Sequence, residues 1–207
     1  MEHKLTSQKT FRYQQIGNLE KATHLLIVLH GYGQLAEFFI RKFKDVPENY
    51  LVIAPEGMHR FYLNGTSGRV GASWMTKEDR ESDIQDNLNW LNHLLRELKE
   101  KKKFEKIILL GFSQGGATAA RWYYSSKCEF NHLILWASVF PPDLDKPQNS
   151  ENSENYFVIG TEDEFYNAEA QMTEIDFYKK IGFQTVQFAG RHDIEIGALN
   201  RILEEIT

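Results

Sequence analysis

Gly111-Phe112-Ser113-Gln114-Gly115-Gly116 follows directly on the apolar run 106–110, and residues 117–124 then open a helix with small side chains. A serine on a sharp turn between a buried strand and a helix presents its hydroxyl as a nucleophile. To lift Oγ clear of a sheet, such a serine takes a positive φ, which a non-glycine residue rarely tolerates. The crowding explains Gly111 and Gly115, two positions before and two after, while Gly116 lets helix backbone approach the sheet.

A hydroxyl is a poor nucleophile at neutral pH and needs a histidine base oriented by a carboxylate. Only His132 and His192 follow Ser113. His132 begins a strand, on the wrong edge of the sheet. His192, in Ala189-Gly190-Arg191-His192, comes just past the strand 183–188, on the edge where the C-terminal ends of strands gather functional residues. Among the acids, Asp143 and Asp145 lie in the loop after the strand ending at Trp136, and Asp176 sits mid-helix. Asp193 adjoins His192 and is placed to cap the closing helix instead. Asp163 follows the strand 156–160 in Gly160-Thr161-Glu162-Asp163 and is the best candidate, with Glu162, Glu164 and Asp143 as alternatives. A tetrahedral oxyanion also needs two donors. The backbone N–H of Gln114 supplies one, and the loop His30-Gly31-Tyr32-Gly33 aims a second, from Tyr32.

The elements that must position these groups alternate along the chain. Strands are expected near 10–16, 25–29, 50–54, 106–110, 132–136, 156–160 and 183–188. Helices are expected over 35–43, 83–98, 117–124, 168–181 and 194–206. That alternation implies an α/β fold, a mostly parallel sheet covered on both faces. Residues 56–77 are rich in Gly, Arg and aromatics without a clear period and read as a long functional loop. Residues 141–155 form a polar loop too short for a helical cap, so one domain over 1–207 is expected.

Composition narrows the partners. The net charge is −5, and the basic run 99–103 closes an amphipathic helix, where cations favour the C-terminus. Neither feature suits nucleic acid or an anionic membrane. The single cysteine, Cys128, permits no intrachain disulfide and no cysteine-based zinc site. Residues 1–10 are polar, unlike a signal peptide, so a cytoplasmic protein is expected, with no metal, no cofactor and a small-molecule substrate.

Gly-Phe-Ser-Gln-Gly-Gly with the upstream His-Gly-x-Gly resembles the phospholipase/carboxylesterase family of small α/β hydrolases, which includes the acyl-protein thioesterases. The resemblance covers nearly the whole chain. Trp74 in Ala72-Ser73-Trp74 and the segment Ala137-Ser138-Val139-Phe140-Pro141 match further family positions. It implies a capless single-domain α/β-hydrolase fold, a triad of Ser113, Asp163 and His192, and oxyanion donors at Tyr32 and Gln114. Three positions depart from the family pattern: Tyr32-Gly33-Gln34 where Leu-Gly-Asp is usual, Arg191 where Gly is usual, and no proline after Asp163.

The function expected is a serine hydrolase cleaving carboxylic esters through an acyl-enzyme. An acyl-thioesterase or lysophospholipase would use the same machinery, and a non-catalytic binding module on this scaffold is a remote alternative. Without a cap the site should be shallow. Phe61, Tyr62, Trp74 and Tyr32 are expected to wall it, with Trp74 and Tyr32 touching a short acyl group.

Overall fold

The computed structural model describes residues 1–125, 129–145 and 155–207. Cys128 and most of the polar loop 141–155 lie outside the described residues. The central sheet has seven strands: β1 (Tyr13–Ile16), β2 (His24–Leu29), β3 (Tyr50–Pro55), β6 (Lys106–Phe112), β7 (His132–Trp136), β8 (Asn155–Gly160) and β9 (Phe183–Phe188). They lie in the order β1-β3-β2-β6-β7-β8-β9. All neighbours are parallel except β1, which runs antiparallel to β3 at one edge.

The continuous apolar strands follow from this burial on both faces. Along β2, Leu25, Ile27 and Leu29 enter one core and Leu26 and Val28 the other. The first core packs helices α2 (Arg80–Lys101), α3 (Gln114–Ser125) and α4 (Ala168–Lys180). The second packs α1 (Ala36–Phe39), which tightens into a 3-10 turn over Ile40–Phe43, and α5 (Ile196–Ile206). The helix α2 carries Glu81 and Asp83 in its first turn and Lys99 and Lys101 in its last, as the macrodipole favours.

Two local expectations need correction. Residues 56–77 are not a loop throughout, because β4 (His59–Tyr62) and β5 (Val70–Ser73) pair as an antiparallel hairpin. Each strand has only four residues, too few for a readable alternation, and the turn uses Gly65 and Gly68 at positive φ. The cap of α5 is Glu195, not Asp193. The Glu195 carboxylate accepts from the N–H groups of Gly197 (2.9 Å) and Ala198 (2.6 Å). Asp193 instead pairs with Lys42 at 2.6 Å.

Candidate active site

Ser113 sits between β6 and α3 with φ of 53°, one of three non-glycine residues at positive φ among the described residues. The neighbouring glycines are required by space. A Cβ at Gly115 would collide with the carbonyl oxygens of Leu29 and His30, and one at Gly111 with Gly116 and Ala119. A Cβ at Gly116 would strike the side chain of Ser138. The Ser113 N–H donates to the Trp136 carbonyl (2.9 Å) and its own carbonyl accepts from Gly116 (2.9 Å), which holds the strained turn.

Asp163 and His192 meet across the ends of β8 and β9. Asp163 is 2 % exposed, and its Oδ2 lies 2.7 Å from His192 Nδ1. With Nδ1 engaged by a carboxylate, Nε2 is the nitrogen left for chemistry. The His192 ring packs against Phe112, the residue before Ser113, with centroids 4.8 Å apart. Backbone bonds from Thr161 to Phe188 (2.9 Å) and from Glu162 to Gly190 (2.8 Å) lock the acid turn onto the histidine loop. Gly160 is needed there, since a Cβ would meet the carbonyl oxygens of Gly190 and Arg191.

The alternative acids are engaged or turned away. Asp143 is gripped by Arg121 through two bonds (2.9 and 2.7 Å) and by Arg80 (2.7 Å). Hydrogen bonding from Arg121 holds its carboxyl well below the usual range. Glu162 is exposed, and Glu164 accepts the backbone N–H of His192 at 3.2 Å rather than its ring.

Gln114 is the first residue of α3, so its N–H is one of the helix's unpaired first-turn donors. Its side chain is pinned: Nε2 donates to Ser73 Oγ (2.9 Å) and the Met75 carbonyl (3.0 Å), and Oε1 accepts from Trp74 N–H (3.2 Å). In the facing loop, the Gly31 N–H donates to Gln34 Oε1, Gly33 to the Ala72 carbonyl and Gln34 to the Gly31 carbonyl. Unlike those of Gly31, Gly33 and Gln34, the Tyr32 N–H meets no protein acceptor in hydrogen-bonding geometry among the described residues. A Cβ at Gly31 would press on Ser113 Cβ at 3.2 Å, so the loop passes directly beside the serine.

His30, read from sequence only as part of a glycine loop, is the loop's support. It is fully buried; its Nε2 accepts the Gly57 N–H (2.9 Å), so Nδ1 carries the proton and donates to the Gly31 carbonyl (2.7 Å). Burial pushes this imidazole down to about 4. Gly57 is aimed by its neighbour Glu56, whose buried carboxylate takes Arg12 (2.6 and 3.1 Å) and the Ala36 N–H (3.3 Å). The partner of a buried polar atom, not periodicity, is the signal here, and it exists only once the chain has folded.

Trp74 does not wall the site. It is 0 % exposed, with its ring 6.5 Å from Trp90 and nearly parallel to it, and its Nε1 donates to the His30 carbonyl at 2.8 Å. It supports the loop from below, because the chain leaving β5 turns its side chain into the core. Tyr32 does face solvent, 61 % exposed, over Phe61 at 5.2 Å.

The fold is that of the α/β hydrolases, and the match to a family model narrows it. A model described as Phospholipase/Carboxylesterase matches residues 16–205, and the chain belongs to that family. A "Probable 1-acylglycerol-3-phosphate O-acyltransferase" from Oryza sativa subsp. japonica is 28% identical over 116 residues, covering 56% of this chain and 25% of that protein. The chain thus spans about a quarter of the length of the curated plant relatives it matches. "Acyl-protein thioesterase 1 homolog 2" from Dictyostelium discoideum is 34% identical over 133 residues, covering 58% of this chain and 60% of that one. A carboxylesterase structure from Mesorhizobium loti superposes with a TM-score of 0.75 at 15% identity, covering 94% of both chains, a likeness of fold. Among the described residues no helix is long and apolar enough to cross a membrane.

Proposed function

We propose that this chain is a serine esterase acting on carboxylic esters with short acyl groups, with Ser113, His192 and Asp163 as its triad. The observation that carries the reading is the left-handed Ser113 next to Phe112, whose ring packs on His192 of the Asp163–His192 pair. His192 Nε2 takes the Ser113 hydroxyl proton as Oγ bonds to the ester carbonyl carbon. The resulting oxyanion accepts from the Tyr32 and Gln114 N–H groups. Collapse breaks the bond to the alcohol oxygen, which leaves with the proton from His192. Water then gives its proton to His192, attacks the acyl carbon and releases the acid, and the proton returns to Ser113 Oγ. Asp163 keeps the imidazole in the Nδ1–H tautomer and stabilises its charged form. No step calls for a metal or cofactor, and the substrate is a small molecule; a cytoplasmic location fits this reading.

The similarity to a thioesterase relative favours a second reading, in which the acyl group arrives on sulfur. Matched oxygen and sulfur esters separate the two. Labelling by a fluorophosphonate tests the shared core. Label should map to Ser113 and vanish in Ser113→Ala. Label elsewhere, or esterase activity above a few per cent in that variant, defeats the assignment.

A further inference from the structure

Two phenylalanine rings flank His192, and they differ in one respect. Phe112 is buried beneath it, whereas Phe165 lies 4.5 Å away, centroid to centroid, and is 72 % exposed. A single exposed phenylalanine is ordinary. This one is held in place by the acid of the pair. The two Asp163 oxygens are divided, with Oδ2 on His192 Nδ1 (2.7 Å) and Oδ1 accepting the Phe165 N–H (3.0 Å). The turn is closed again by the Tyr166 N–H on the Asp163 carbonyl (3.2 Å). The backbone of Phe165 is thus held, and its ring offers an apolar surface on the solvent side of the imidazole.

From this geometry we infer that Phe165 determines specificity for the alcohol half of the ester, favouring apolar, ring-bearing alcohols. The inference rests on the esterase reading above. In that chemistry His192 delivers its proton to the departing oxygen, which must come within about 3 Å of Nε2. The carbons attached to that oxygen then pass alongside whatever covers the solvent side of the imidazole, and that is Phe165. The oxyanion loop lies elsewhere, with Tyr32 and Phe61 paired beside it, so the carbonyl and acyl group meet a different pair of rings. Phe165 should therefore act while the alcohol is present and be indifferent once only the acyl-enzyme remains. The charged residues nearby, Glu164 and Arg191, are both exposed, and the rings that pack on His192 are those of Phe112 and Phe165.

The test is kcat/KM for methyl acetate and benzyl acetate with the wild type, Phe165→Ala and Phe165→Leu. Both esters form the same acetyl-enzyme. Alanine should cost roughly tenfold on the benzyl ester and less than twofold on the methyl ester, with leucine restoring most of the loss. Hydrolysis of the acetyl-enzyme, followed in single turnover after a rapid aryl acetate burst, should be unchanged. Equal losses on the two esters, or slowed hydrolysis of the acetyl-enzyme, would show that Phe165 only steadies His192 and would overturn the inference. Equal activity of all three proteins on both esters overturns it too. A wild type that cleaves neither ester and resists fluorophosphonate at Ser113 removes the esterase reading itself, and this inference with it.

Discussion

Acidification from pH 7 to pH 5 should destabilise the fold through His30, which is distinct from the proposed base His192. The folded protein holds His30 neutral because Nε2 accepts from Gly57 while Nδ1–H donates to Gly31. A second proton would set a charge in a dry site and turn the Gly57 N–H against another N–H. Burial places the folded-state value at about 4, against an ordinary 6.5. Between those values the unfolded chain takes up a proton that the folded chain refuses. Stability therefore rises with pH across the interval, and is lost as pH falls from about 6.5 through 4. The full interval corresponds to about 3 kcal/mol, of which about 2 kcal/mol has gone by pH 5. Urea unfolding at both pH values, for the wild type and His30→Gln, isolates this contribution. The glutamine variant should be weaker at pH 7 but should lose about 2 kcal/mol less than the wild type on going to pH 5. Other titrating groups cancel in that comparison. Parallel pH profiles for the two proteins would refute a neutral His30 as the support of the loop 31–34.

Asp163→Asn should lower kcat by roughly 10³–10⁴ in steady-state assays, because an amide donor would force His192 into the wrong tautomer. Asp143→Asn should leave kcat within about twofold yet cost roughly 1–3 kcal/mol in urea unfolding, since it weakens the hold on the buried Arg121. Trp74→Ala should cost about 3–5 kcal/mol of stability by leaving a cavity in the core, with no change in the preferred acyl length. Tyr32→Ala keeps its backbone N–H but removes the exposed ring, so it should shift the kcat/KM peak on aryl esters, which the wild type should show at short acyl lengths; a steady rise out to palmitoyl esters would contradict the short-acyl reading.

Much of the sheet was legible because burial on both faces leaves no alternative to an apolar run. The expected strand 132–136 has the bounds of β7, and 25–29 and 156–160 fall one short of β2 and β8; the edge strand β9, buried only at Phe183 and Phe188, also has its expected bounds. The added residues, His24 and Asn155, are polar, which broke the run. Both are buried, and Asn155 accepts the Leu133 N–H at 2.9 Å, a role that composition does not display. The hairpin β4–β5 was illegible for a different reason. Its pairing is stabilised from outside, by the bridge between Gln34 and Ala72 and by the Gly33 N–H on the Ala72 carbonyl.

The residues expected to do chemistry could be chosen from sequence because a serine elbow constrains its neighbours sterically and orders the acid and base along the chain. Asp163 and His192 do lie 2.7 Å apart, as that order required. What holds them and the facing loop 30–34 has no comparable local signature. Trp74 shows why. Its aromatic ring beside a glycine-rich stretch looks like a surface contact for substrate, yet it stacks on Trp90, which stacks in turn on Phe11 at 4.6 Å. Those three rings come from the end of β5, from α2 and from the segment before β1, and no spacing along the chain connects them. The Trp74 carbonyl is bound by Asn87 Nδ2 (2.6 Å) and its indole N–H binds His30. A ring so held cannot adapt to a ligand, but it can fix the loop above it. Rigidity beneath the Tyr32 N–H would serve the proposed catalysis, since donors that need not reorganise give a developing charge its full stabilisation. The aromatic content near the site thus divides by exposure into a buried stack beneath the loop and rings that reach solvent, Tyr32 and Phe165 exposed and Phe61 partly so, free to meet the proposed ester.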